Sequence, residues 1–146
     1  MIVKESLLKF ENFAVLNSSC IYNHGENLSP EIVSSYPLDI NLEILAHNKE
    51  RKFKVVVSAK LNENNNPGYN INVVSATFFS IGNEASDSDI DILIKQSGVQ
   101  MAIANLRAYI EVLTSYYPLG KYTIPTIDLN DLLNKIAEES TKKDNN

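Results

Sequence analysis

Apolar and polar residues alternate most regularly from Tyr36, where Tyr36, Leu38, Ile40, Leu42 and Ile44 are separated by Pro37, Asp39, Asn41 and Glu43. That period of two is the pattern of a strand with one wet face. After a polar turn at His47, Asn48, Lys49 and Glu50, the alternation resumes with Phe53, Val55, Val57, Ala59 and Leu61 against Lys52, Lys54, Ser58 and Lys60. Two such runs joined by a short polar connection predict a hairpin. Asn62 to Gly68 (NENNNPG) is a turn by composition. The next run, Tyr69 to Ile81, carries Ile71, Val73 and Phe79 on one parity and Val74, Ala76 and Phe78 on the other, so both faces of this strand are partly apolar. Upstream, Leu7 to Leu16 mixes both parities, as a strand with a bulge or two buried faces would. Asn17 to Ser35 is polar, contains Gly25 and Pro30, and is expected to be a long connection.

In the second half the period changes. Val99, Ala102, Ile103, Leu106, Ile110, Leu113 and Tyr117 recur at steps of three and four, along one side of a helix. A shorter helical piece with Ile90, Leu93 and Ile94 precedes it, capped by Ser86 or Ser88, and Ser97 with Gly98 weakens the junction. The long helix is expected to stop at Pro118 and Gly120, and Thr123, Ile124 and Pro125 force an extended crossing. Asp128 then suits the N-cap of a helix bearing Leu129, Leu132, Leu133 and Ile136. Residues 1–137 are therefore expected to form a single domain and residues 138–146 a short, fraying polar tail. Four strands followed by helices predict an α+β fold, a four-stranded antiparallel sheet with a long helix and a short C-terminal helix packed on one face. No helix separates the strands, which disfavours a doubly wound βαβ fold.

Composition narrows the function. The 146 residues are 44% hydrophobic, enough for one ordinary core, and the net charge of -5 offers no broad positive field for a nucleic acid. The lone Cys20 cannot form an internal disulfide and suits a reducing cytoplasm, where a small buried residue is the simplest role for it. The opening MIVKESLLKF has no apolar run of signal-peptide length, and no stretch approaches a membrane span, so membrane insertion is not expected. His24 and His47 have no ligand-spaced neighbours, which argues against a metal. Asp87, Asp89 and Asp91 lack the glycine and late glutamate of a calcium loop and suit helix capping instead. No nucleophilic serine setting and no cofactor motif stands out, so an enzyme is not expected. Arg107 and Glu111, one helical turn apart, suggest a weak exposed pair. Tyr109, Tyr116, Tyr117 and Tyr122 cluster around the end of the long helix and are open to two readings, core packing or an aromatic-lined groove for apolar peptide segments.

The order of elements and the run from Gln100 to Leu133 resemble the SecB family of protein-export chaperones. Arg107, Ala108, Tyr109 and Ile110 are similar to the family's Y-A-R-E-x-I helix segment, IPTIDLNDLL (Ile124 to Leu133) to its L-x-P-[IV]-N-F-x-x-L close, and YPLDINLEI (Tyr36 to Ile44) to its aromatic-led second strand. The resemblance spans about Leu8 to Ile136. It implies a homotetramer, a dimer of dimers, that works without ATP or cofactor and holds unfolded polypeptides, preproteins for export among them, in grooves between sheet and helices. Carried onto matching positions, it implies client binding by Tyr36, Leu38 and Leu42 from the second strand and Tyr122, Ile124 and Ile127 from the crossing. Family members pass clients to the SecA motor. Here Asn72 stands where export members often place an acidic residue, Ala104 and Asn105 replace the usual Phe-Pro, and the tail with Lys142 and Lys143 does not resemble the motor-docking tail. Chaperoning is thus better supported than motor docking. SecB-like chaperones dedicated to antitoxins are an alternative within the same resemblance, and a non-chaperone adaptor for one folded partner is the alternative outside it.

Overall fold

Four strands form one antiparallel sheet in the order β1-β4-β3-β2, with β1 at Leu8–Asn23, β2 at Leu38–His47, β3 at Lys52–Leu61 and β4 at Gly68–Ile81. The computed structural model describes residues 1–144. The two strands with the strongest apolar content take the centre, as burial on both sides of the ladder requires. On β3, Phe53, Val55, Val57, Ala59 and Leu61 are buried, and across β4 they face Phe79, Thr77, Ser75, Val73 and Ile71. The helices cover this side. The opposite face is open, and there the second apolar parity of β4 places half-buried Val74 and Phe78 beside Ser58 and Lys54 of β3.

The bulge expected from the mixed parity of the first strand occurs twice, with register shifts between Phe10 and Asn12 and between Val15 and Asn17. Each shift returns apolar residues to the covered face, so Leu8, Phe13, Val15, Cys20 and Tyr22 all pair with covered-face residues of β4. These bulges also carry the strand far past Leu16. Residues Asn17 to Asn23 belong to β1 and not to a loop, because an edge strand can keep Asn17, Ser18 and Ser19 partly in water while its backbone pairs with β4 as far as Asn23↔Gly68. The remaining connection holds a helix that the polar pattern concealed, α1 (Pro30–Ser35), with proline in its first turn and Val33 buried. Asn62 ends β3 with a left-handed φ of 61°, and its buried amide donates to Asn66 O (2.8 Å) and Tyr69 O (3.0 Å) and accepts from Asn66 N–H (3.0 Å). One side chain thus folds the asparagine-rich turn.

The helical layer follows the expected order. In α2 (Asp87–Ile92) Ser86 accepts from Asp89 N–H (3.2 Å) while the Asp89 carboxylate accepts from Ser86 N–H (3.2 Å), a reciprocal capping box. The weak junction at Ser97 and Gly98 is a turn of π-helix from Leu93 to Gly98, which passes without a break into α3 (Val99–Thr114). Gly98 lies where a Cβ would sit 3.7 Å from both Leu8 and Phe79, so the chain rests closely on the sheet there. Val99, Ala102, Ile103, Leu106 and Ile110 of α3 are buried, as their spacing predicts. The C-terminal helix α4 (Leu129–Asp144) has the expected Asp128 cap, whose carboxylate accepts from Asp131 N–H (3.0 Å). It continues past Ile136 through much of the expected tail, helped by the exposed Asp131–Lys135 pair at 2.9 Å, and Asn145 and Asn146 lie outside the described residues.

Candidate functional site

The crossing between α3 and α4, residues 115–128, is held by hydrogen bonds from both layers. At the end of α3 buried Thr114 donates to Ile110 O (2.8 Å) and accepts from Tyr122 N–H (2.8 Å), which turns the chain back along the helix. Gly120, at φ 81°, supplies the left-handed step this reversal needs. Tyr69 reaches up from β4, donating to Gly120 O (2.7 Å) and accepting from Leu119 N–H (2.8 Å). Further on, Arg107 Nε donates to Ile124 O (2.8 Å) and Nη2 to Pro125 O (3.1 Å). Its guanidinium therefore serves the crossing, and the pair expected with Glu111 does not form among the described residues.

The tyrosines divide between the two readings left open by the sequence. Tyr117 donates to Cys20 O (2.7 Å) and packs edge-to-face on Tyr69 at 5.7 Å, and Tyr22 packs on Tyr69 at 6.3 Å. Burial raises the pKa values of Tyr69, Tyr117 and Tyr122 above the ordinary tyrosine value, and it raises the Cys20 thiol likewise. These groups tie the helical layer to the sheet. Tyr109 donates to Ser18 Oγ (2.7 Å) over β1, and Tyr116 is fully exposed. The four tyrosines thus differ in burial and in partners.

The residues implied in client binding fall into two depths. Leu42, Tyr122 and Ile124 are buried at 6%, 6% and 1% exposure and belong to the core. Tyr36, Leu38 and Ile127 are half-buried and packed against that core, and the Tyr36 hydroxyl donates to Pro67 O (2.5 Å). Two more residues join them from β2. Ile40 and Ile44 share the covered side of the strand with Leu38 and Leu42, and both are half-buried. The alternation from Tyr36 to Ile44 held that signal, because it sets Leu38, Ile40, Leu42 and Ile44 on one side of a strand that lies at the edge of the sheet. Beyond Ile44 the row opens into a cavity of about 560 Å³ whose apolar lining is Ile44, Ala46, Phe53, Ile90 and Ile94, with Arg51 and the Lys95–Asp91 pair (3.2 Å) among its polar walls. Arg51 donates from Nη1 to Gly82 O (3.1 Å) and Ala85 O (3.0 Å), fixing the hairpin end to the start of α2.

A second apolar feature lies on the outer flank of α3. Met101, Ala104, Ala108, Val112 and Tyr116 are exposed at steps of three and four, Val112 to 71%. The small alanines in its middle would let another helix approach closely. Among the described residues no group of three or more His, Cys, Asp or Glu side chains is placed to hold a metal ion, and no helix is long and apolar enough to cross a membrane. The site can bury apolar surface.

An antiparallel four-stranded sheet under a long helix, a tethered crossing and a C-terminal helix defines the class, a SecB-like α+β fold. Among solved structures, the chain is similar to the Mycobacterium tuberculosis SecB-like chaperone Rv1957, determined in complex with a peptide from the HigA1 antitoxin, with a TM-score of 0.62 and 15% identity over 83% of this chain and 88% of that one. A Streptococcus agalactiae protein of unknown function is matched at a TM-score of 0.42 and 10% identity over 82% of this chain and 97% of that one. Neither a family model nor a curated protein matches the sequence.

Proposed function

We propose that the chain is a SecB-like chaperone that binds unfolded or extended polypeptide without ATP or cofactor, and that it has no catalytic role. The observation that carries the reading is the half-buried row Leu38, Ile40 and Ile44 on the edge strand of the sheet, with Ile127 of the crossing half-buried against the same core. Leu42, Tyr122 and Ile124 would support the row from within the core, and half-buried Tyr36 precedes it in the chain. The core buries this row only in part, so a client's apolar side chains would complete its burial. The fold it sits on is shared with a chaperone solved with an antitoxin peptide, which favours an antitoxin as the client over a preprotein for export. Docking to SecA has less support, since Asn72 lies exposed on the open face without the negative charge that export members often place there.

Self-association into a homotetramer, a dimer of dimers, is part of the same proposal. Its support is the outer stripe of α3, which a second copy would cover. Val112→Glu should then lower the mass in solution without unfolding the chain. We place the protein in the cytoplasm, where Cys20 stays a thiol.

The test is suppression of aggregation. The purified chain, without nucleotide, should keep chemically unfolded citrate synthase from scattering light on dilution, and Leu38→Glu should abolish that protection. Scattering unchanged by the wild-type chain would contradict the holdase reading and favour an adaptor for one folded partner.

A further inference from the structure

The hydrogen-bonding parity of the sheet can be followed to its outer edge. In an antiparallel ladder, bonded and non-bonded pairs alternate. Asn62 N–H donates to Pro37 O (3.4 Å), so the pair that continues the β2–β3 register beyond Leu38↔Leu61 is a bonded one. Ile81 N–H donates to Arg51 O (3.0 Å), which assigns the odd residues of β3 to β4 and leaves its even residues for β2. Both observations give the same result. Asp39, Asn41, Glu43, Leu45 and His47 bond to β3, whereas the backbone groups of Leu38, Ile40, Leu42, Ile44 and Ala46 point away from the sheet.

These outward groups belong to the same residues whose side chains form the apolar row. The β2–β3 register runs unbroken from Leu38↔Leu61 to His47↔Lys52, so the free edge is regular, unlike the twice-bulged β1 at the other side of the sheet. Among the described residues, one outward group has an intramolecular partner. Leu42 N–H donates to Oδ1 of its neighbour Asn41 (3.0 Å). A side chain that satisfies an edge donor competes with any strand that would pair there.

Resting on the chaperone reading above, we propose that the client binds by strand addition. An extended segment with apolar residues at alternate positions pairs with β2 as a fifth strand, and Asn41 guards that edge by holding the Leu42 N–H until the client displaces it. The outward N–H and C=O groups supply sequence-independent affinity. The client's alternate side chains lie beside Leu38, Ile40 and Ile44, and the last of them reaches the cavity between Ile44 and Ile94. A helical segment has no free backbone groups to offer this edge and would be rejected.

Amide hydrogen exchange resolved by residue, with reduced and carboxymethylated α-lactalbumin as the probe, tests this directly. On binding, the amides of Ile40 and Ile44 should slow by about tenfold or more, and those of Asn41 and Glu43, already bonded to β3, should change little. Two variants give an independent reading. Ile40→Pro deletes an outward N–H and leaves the β2–β3 ladder intact, so it should weaken probe binding about five- to tenfold more than Ile40→Ala, which removes the side chain alone. Asn41→Ala frees the Leu42 N–H and should tighten binding severalfold. Probe binding with unchanged exchange at Ile40 and Ile44 would overturn strand addition and leave the chaperone reading standing. Absence of probe binding would overturn both.

Discussion

Arg107 and Ile124 are joined by a 2.8 Å hydrogen bond from the guanidinium Nε to the backbone carbonyl, and Nη2 of the same arginine reaches Pro125 O at 3.1 Å. A planar fork of donors spans two successive carbonyls, a geometry lysine cannot reproduce. The crossing therefore runs beside α3 at a fixed height, with Ile124 inserted in the core. Arg107→Ala should lower stability by about 1–3 kcal/mol by leaving those carbonyls unpaired. Arg107→Lys should recover only part of the loss, as judged by the midpoint of denaturant unfolding. A neutral Arg107→Ala would show that the crossing is held by its side chains alone.

Asn62 should be more sensitive than its place in a turn suggests. It combines a left-handed backbone with three amide hydrogen bonds in a buried position. Asn62→Ala should cost about 2–4 kcal/mol from lost hydrogen bonds and backbone strain together. Asn62→Gly should recover only the backbone share. Asn62→Asp should be no better than alanine, because its carboxylate would face the carbonyls of Asn66 and Tyr69.

Stability should fall in alkali. Burial holds the phenols of Tyr69 and Tyr122 above their ordinary value, so the folded chain keeps protons that the unfolded chain has released. The contribution is complete below about pH 10, the unfolded tyrosine value, and is lost as pH rises through the higher folded values. Unfolding midpoints measured across that range should drop with the appearance of tyrosinate absorbance. Tyr122→Phe, which removes one of these phenols, should shallow the slope.

Core and client surface should separate by mutation. Ile124→Ala empties a fully buried position and should cost about 2–5 kcal/mol. Leu38→Ala and Ile127→Ala remove half-buried side chains, should cost less, and should lower client affinity. Calorimetry beside a binding titration distinguishes them. Client affinity that follows stability alone would return Leu38 and Ile127 to the core.

Much of the architecture was legible in the sequence because each element carries one dominant period. The alternation of β2 and β3, the spacing of Val99 to Ile110 and the caps at Ser86 and Asp128 each name their structure. The length of β1 was concealed, since two bulges reset its parity and its second half is polar at an edge, where pattern and pairing no longer coincide. Helix α1 was concealed for a related reason, as one buried residue, Val33, leaves no period to detect. In the site, depth was the missing quantity. The sequence marks Leu38 and Ile124 alike as apolar, and only packing makes one accessible and the other core. The outward backbone of Ile40 and Ile44 leaves no trace in residue type at all.

The central claim is that this chain captures unfolded polypeptide, and light scattering with in-line size separation tests it most directly. The protein is measured alone and after mixing with reduced, carboxymethylated α-lactalbumin, which stays unfolded. We expect an assembly heavier than one chain that shifts to a stable complex of higher mass on mixing. A single chain whose elution and mass do not change in the presence of that client would contradict the account.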